Sequence, residues 1–300
     1  MKDKIIVILG QTSSGKTELS VELAKKFNGE IISADSQQIY KGLDIGSGKV
    51  TKKEMRDIPH YLLDVASPRS VFSVSQFKRK SQKAIKDILK RGKLPIIAGG
   101  TGQYIQAIVD DIVLPEVKPN KKLRAELEKK SVVELGKILK KLDKSRFKEI
   151  DQKNPRRLVR AIEIAKAIGK TPKITGTGSL EDYEFLQIGI SAGDEVLKER
   201  IEKRFKKRVK QGIVAEAKKL HEQGVSWKRM NQIGLAHKYV VKYIKGEISK
   251  EQMIEGAIRE ERRYAKRQKT WFKRDKRIRW FDYDDKQKIF DEAELFLEKK

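Results

Sequence analysis

The chain has 300 residues, enough for one large α/β domain or for a core with a smaller insertion. It has no cysteine, which excludes disulfides and cysteine-based zinc sites and points to a reducing cytoplasm, and no apolar run is long enough to span a membrane. Residues 1–115 carry 19 Lys/Arg against 12 Asp/Glu, so of the net charge of +27 only +7 lies there and +20 lies in the remainder. Such a field suits a polyanionic partner or, equally, a solvated lysine-rich surface.

The first apolar run, Ile5–Leu9, predicts a strand. It ends in no signal-peptide pattern but feeds Gly10-Gln11-Thr12-Ser13-Ser14-Gly15-Lys16-Thr17, which matches G-x-x-x-x-G-K-[ST]. Strand before and helix after are the context this motif needs. Backbone N–H groups of residues 12–17, with the positive end of the following helix, would cradle a phosphate. Lys16 would reach the phosphate oxygens and the Thr17 hydroxyl would ligate Mg²⁺. Gly10 and Gly15 permit the close approach, and Thr12, Ser13 and Ser14 complete the loop.

Further strands are predicted at Glu30–Ala34, Tyr61–Val65 and Leu94–Ala98, with a helix at Ser75–Arg91. Strands alternating with helices imply a parallel sheet flanked by helices. ATP-hydrolysing proteins with this cradle usually carry a strand ending in an acid that helps to hold Mg²⁺. Here the strand at Leu94–Ala98 runs into Gly99-Gly100-Thr101-Gly102. The acid is Asp35, directly after Glu30–Ala34. At the end of a neighbouring strand it would face the cradle. One carboxylate opposite a phosphate ester suits a general base, and a helix cap or a Mg²⁺-shell ligand is the alternative.

Beyond Pro115 the pattern changes to charged helices over 121–170, then a Gly/Thr-rich loop at 175–178. A strand at Phe185–Ile190 returns to the sheet, helices follow from Asp194, and a last strand is predicted at Ile278–Tyr283. The expected organisation is a core of residues 1–115 and 184–300, interrupted by a helical insertion at 116–183.

Two basic clusters stand out. Residues 259–279 hold eleven Lys/Arg against three acids, with Tyr264, Trp271 and Phe272 among them. Cations contact phosphates and aromatic faces stack unpaired bases, though an amphipathic helix would send some of these rings to the core. The second cluster, Asn154-Pro155-Arg156-Arg157-Leu158-Val159-Arg160, opens a helix, and Arg156 and Arg160 share a face at i, i+4 spacing. Two patches suggest a clamp on a folded polyanion.

Together these residues resemble the bacterial tRNA dimethylallyltransferases, also called tRNA isopentenyltransferases. The resemblance runs through GQTSSGKT (10–17), ADSQQIYKGLDIGSGK (34–49), IPHYLLDVASP (58–68), IIAGGTGQYI (96–105), NPRRLVRAIEI (154–164), LKERIEKR (197–204) and YAKRQKTWF (264–272). It implies a P-loop NTPase-like α/β core with a helical insertion. The implied reaction moves a dimethylallyl group from dimethylallyl diphosphate to N6 of the adenosine 3′ of the anticodon. The cradle would then hold a diphosphate rather than a nucleotide.

By the same resemblance Asp35 is the base, Thr101 bonds near the amine or the diphosphate, and Arg200 or Arg204 stabilises the diphosphate or Asp35. Contacts to the tRNA anticodon stem-loop fall to Asp35, Ser36, Gln37, Gln38, Thr101, Arg156, Arg157, Leu158, Val159, Arg160, Lys266, Arg267, Gln268, Lys269, Thr270, Trp271 and Phe272. Arg124 is a further candidate, with a solvated face as its alternative. The expected enzyme is a cytoplasmic monomer that uses Mg²⁺ and avoids membranes.

The chain departs from the family pattern at Gln11, Gly193, Leu235 and Glu261, where Pro, Arg, Tyr and Thr are usual. Gln11 is expected at the loop edge, with little effect. A small-molecule kinase, a prenyl transferase acting on free AMP or ADP, and a non-catalytic RNA-binding protein are the rival readings. None of them needs both the cradle and the basic arm.

Overall fold

A computed structural model describes residues 2–113, 115, 117–169 and 182–299. The chain forms two compact units, Met1–Asp111 with Gly178–Lys300, and Ile112–Thr177. The loop expected at 175–178 lies outside those residues, and the boundary expected at 183/184 falls inside the strand Tyr183–Ser191.

The larger unit starts with β1 (Asp3–Gly10), α1 (Lys16–Lys26), β2 (Gly29–Ser33), α2 (Lys52–Met55), β3 (His60–Tyr61), α3 (Val74–Lys90), β4 (Leu94–Gly99) and α4 (Gly102–Val109). The smaller unit contains α5 (Lys121–Leu127), α6 (Val132–Leu142), α7 (Lys144–Glu149) and α8 (Pro155–Ile168). The larger unit resumes with β5 (Tyr183–Ser191), α9 (Asp194–Gln211), α10 (Ile213–Glu222), α11 (Trp227–Ile233) and α12 (His237–Ile244). It ends with α13 (Lys250–Phe272), β6 (Arg279–Asp282) and α14 (Lys286–Glu298).

The six strands form one parallel sheet in the order β3-β2-β4-β1-β5-β6. Its central strands read as unbroken apolar runs because both faces are covered. On one face Ile5, Val7, Leu9, Ile32 and Ile97 meet Phe77, Ile85 and Ile88 of α3 and Ile105 and Ile108 of α4. On the other, Ile6, Ile8, Ile31, Ile96 and Ile188 meet Leu19 and Leu23 of α1 and Ile289 and Phe296 of α14. A third core joins α9–α13 to Ile39 and Leu43. The smaller unit has its own core of Leu127, Leu135, Leu139, Leu158 and Ile162.

Two expectations change. The strand predicted at 61–65 is only His60–Tyr61, because Leu62 and Asp64 take positive φ of 65° and 55°, which ends the extended run. And β2, which delivers Asp35, does not adjoin β1, since β4 lies between them.

Candidate active site

The loop between β1 and α1 turns on left-handed backbone. Ser13 has φ 63° and Gly15 φ 99°, and a Cβ on Gly15 would run into the Tyr283 ring. Lys16 begins α1, so its side chain and the first N–H groups of the helix share one concavity. Its ammonium folds back onto Gln11 O and lies 3.4 Å from Ser14 Oγ. Burial pushes the Lys16 pKa down to about 7, helped by the Arg204 charge and opposed by Asp35.

These three groups line one cavity of about 730 Å³, walled by the loop, the ends of β2 and β4, α9 and α13. Although β4 separates the strands, Asp35 lies two residues beyond the end of β2 at Ser33 and lines the cavity. Its Oδ1 accepts from Gln37 N at 2.8 Å and Gln38 N at 3.3 Å. So Asp35 does cap a turn, and among the described residues nothing holds its second oxygen. Thr101 braces that turn, with Oγ1 accepting from Ser36 N at 3.0 Å and lying 3.3 Å from Ser36 Oγ.

The two arginines of α9 separate. Arg204 donates to Thr12 Oγ1 at 3.3 Å and to Gly48 O at 2.9 Å, which sets it against the loop. Arg200 stacks over Tyr283, 5.5 Å from its centroid, at the rim of the same cavity.

Several side chains sit where the sequence did not put them. Gln11 is buried, 6% exposed, and Nε2 donates to Ala265 O at 3.2 Å, so it is a tie to α13 rather than a loop edge. Gln268 is also buried. Its Oε1 accepts from Thr12 N at 2.8 Å and its Nε2 donates to Gly100 O at 2.8 Å. It therefore braces the cradle, and it lines the same cavity. Tyr264 lines the cavity, and burial pushes its phenol up to about 12. His60, Lys53, Glu54 and Arg56 form another part of the wall. No motif marked them, although IPHYLLDV contains His60.

Of the remaining RNA candidates, Gln37 and Gln38 line the cavity and Ser36 stands beside them. Lys266 and Arg267 are exposed on α13, with Arg267 near Glu260 at 3.2 Å and over the Tyr264 ring at 5.7 Å. Lys269 pairs with Asp194 at 2.9 Å, and Thr270 Oγ1 bonds Lys266 O at 3.0 Å. Trp271 is half-buried against Gly102. Phe272, 3% exposed, is a core ring.

In the smaller unit Leu158 and Val159 are core residues, 0% and 7% exposed. Arg124 and Arg160 both bind buried Glu163, at 2.8 and 2.6 Å, and Arg160 also donates to Val117 O at 3.0 Å. Arg160 is thus tied to Glu163 with about a third of its side chain exposed, while Arg156 and Arg157 are exposed.

A family model described as IPP transferase matches residues 38–275. A tRNA dimethylallyltransferase of Anoxybacillus flavithermus is 41% identical over 291 residues, 95% of this chain and 92% of that one. This chain belongs to the tRNA dimethylallyltransferase family. Membership makes it a prenyl transferase that modifies tRNA. The family extends to solved structures with the same P-loop NTPase-like core. The full-length tRNA isopentenylpyrophosphate transferase of Bacillus halodurans matches with a TM-score of 0.74 at 37% identity, over 99% of this chain and 97% of that one. A eukaryotic dimethylallyltransferase acting on tRNA matches with a TM-score of 0.77 at 27% identity, over 94% and 74%.

Proposed function

We propose that the donor is dimethylallyl diphosphate and the acceptor is N6 of the adenosine 3′-adjacent to the anticodon in the tRNA stem-loop. The allylic C–O bond breaks, an N–C bond forms, and diphosphate and one proton leave. The observation that carries this reading is a single cavity in which Lys16 and Arg204 face Asp35. Cations on one side suit a departing diphosphate, and a carboxylate on the other suits an amine that must lose a proton.

The division of labour follows from those positions. The N–H groups of Ser13–Thr17, with Lys16 and Arg204, take the charge that develops on the leaving oxygens. Arg200, stacked on Tyr283, guards the rim. The free oxygen of Asp35 accepts the amine proton, while its other oxygen stays fixed by two N–H groups. Its negative charge also favours the allyl cation. Tyr264 and Thr101 border the place where an adenine, flipped out of its stack, would meet the donor. Exposed Lys266, Arg267, Arg156 and Arg157 are the cations available to tRNA phosphates.

For Mg²⁺ the donor set is sparse. Thr17 is exposed at the cradle, and the described residues contain no cluster of three His, Asp or Glu able to hold an ion. That fits an ion bound by the Thr17 hydroxyl and otherwise by diphosphate oxygens and water. When bound it would add positive charge against the leaving group. No described helix is long and apolar enough to cross a membrane. A monomer working in the cytoplasm completes the proposal.

The test offers radiolabelled dimethylallyl diphosphate and an anticodon stem-loop carrying A36-A37, with AMP and ATP in parallel. Label in the RNA without ATP turnover is the expected result. Label on AMP, or ATP turnover with unlabelled RNA, would overturn the acceptor or the donor.

A further inference from the structure

The segment 44–48 walls the cavity between α2 and the phosphate loop, with Ser47 and Gly48 lining it. Its own bonds are those of a tight turn, Gly48 N to Ile45 O at 3.0 Å and Lys49 N to Asp44 O at 2.9 Å. Two local side chains add to these, Ser47 Oγ donating to Leu43 O and Lys49 pairing with Asp44, and distant helices supply further ties. The Glu216 carboxylate on α10 accepts from the backbone N–H of Asp44, Ile45 and Gly46 at 2.8, 2.6 and 2.8 Å. Three converging N–H groups make an anion nest, here filled by the protein itself. On α9, Arg208 donates to Gly46 O at 3.1 Å and pairs with Glu261 of α13, and both are nearly fully buried at 6% and 5% exposed. The His237 ring closes the remaining space, leaving no room for a Cβ on Gly46.

One turn before Arg208 on α9 lies Arg204, which donates to Gly48 O as well as to Thr12 Oγ1. Its guanidinium plane is therefore set by where Gly48 stands. A Cβ on Gly48 would strike that guanidinium, so the approach is as close as glycine allows.

We propose that Glu216 and the Arg208–Glu261 pair are positioning residues that aim Arg204 at the diphosphate by holding the 44–48 turn. This rests on Arg204 being a diphosphate ligand. A buried ion pair by itself is weak evidence for stability. What this pair does is orient an arginine onto one carbonyl of a turn that another carboxylate holds from the opposite side. A shift of Gly48 by about 1 Å would displace the Arg204 fork by a similar amount, enough to cost orientation at the reacting centre. Glu261 also lines the cavity, so its pair with Arg208 belongs to the wall of the phosphate site.

The test is calorimetric titration of inorganic diphosphate with Mg²⁺ into the full chain and its variants. Glu216→Gln keeps the shape and loses the charge. Glu216→Asp keeps the charge and shortens the reach. Each is expected to weaken diphosphate binding about tenfold, leave tRNA affinity within about twofold, and change binding by less than about twofold in an Arg204→Ala background. A residue that merely supports the core would give the same loss in both backgrounds, and that result would overturn the proposal. So would unchanged affinity in the single variants, or failure of both to fold, which would assign the bonds to folding. If Arg204→Ala alone left diphosphate binding intact, the assignment of Arg204 would fall first. A weakened Arg204→Ala beside a neutral Glu216→Gln would sink the positioning role alone.

Discussion

Lys16 offers a quantitative check on the cradle, because its pKa of about 7 makes diphosphate binding a proton-linked event. Burial and the Arg204 charge disfavour the ammonium, whereas a bound polyanion would restore it to full protonation. The sign follows directly. At pH 7 about half of the Lys16 side chains are neutral, so binding takes up about 0.5 proton, rising to about 0.9 at pH 8 and falling below about 0.1 at pH 6. Charging Lys16 costs about 0.4 kcal/mol at pH 7 and about 1.4 kcal/mol at pH 8, so affinity falls tenfold per unit above pH 8. Calorimetry in two buffers of different ionisation enthalpy measures the uptake. The same titration with Lys16→Met removes the protons that belong to diphosphate itself. Arg204→Ala should shift the profile to higher pH and Asp35→Asn to lower pH, following the two charge contributions. Identical proton uptake by wild type and Lys16→Met between pH 6 and 9 would refute the reasoning.

Asp35→Asn should lower single-turnover prenyl transfer by about 10²–10⁴-fold while tRNA affinity changes little, and near-normal turnover with bound tRNA would remove Asp35 as the base. Gln268→Ala strips one partner each from Thr12 N and Gly100 O, so donor KM should rise several-fold more than tRNA Kd; the reverse pattern would make Gln268 an RNA contact after all. Glu163→Ala leaves Arg124 and Arg160 facing each other without their shared anion. Both guanidinium groups remain about a third exposed, so the loss should be about 2 kcal/mol rather than the 3–5 of a fully buried pair, read by urea unfolding. His237 is buried and neutral, with its pKa held down to about 4 against 6.5 when unfolded. The unfolded state therefore binds more protons between those values, and stability should fall by up to about 3 kcal/mol as pH drops from 7 to 4. His237→Gln should flatten that part of the profile, and an unchanged slope would count against it.

The parts legible in the sequence were those whose physics is local. A buried parallel strand is an apolar run, so Ile5–Leu9, Leu94–Ala98 and Phe185–Ile190 lie within strands, and Glu30–Ala34 runs one residue past the end of β2 at Ser33. The cradle is a backbone conformation that two glycines and a following helix impose, so eight consecutive residues declared it. The failures are equally physical. Left-handed residues at Leu62 and Asp64 stopped a strand that composition favoured, since no Gly or Asn marked both turns. Strand order comes from crossovers, which is why β4 could intervene between the cradle and Asp35 without a trace in either motif.

Within the basic arm the periodicity that makes α13 amphipathic also sends Gln268 and Phe272 inward, and which polar residue is buried depends on what it meets across the interface. Gln268 is paid for by Thr12 N–H and Gly100 O, groups more than 160 residues away. The same holds for Glu216, whose three N–H partners lie some 170 residues earlier, and for Arg124, claimed by Glu163 from 39 residues away. Sequence alone determined the chemistry on offer: a phosphate cradle, one well-placed acid and an excess of cations. Tertiary structure decided which cations face the reaction and which are spent holding the protein together, because a charge leaves water only where a partner from elsewhere in the chain replaces it.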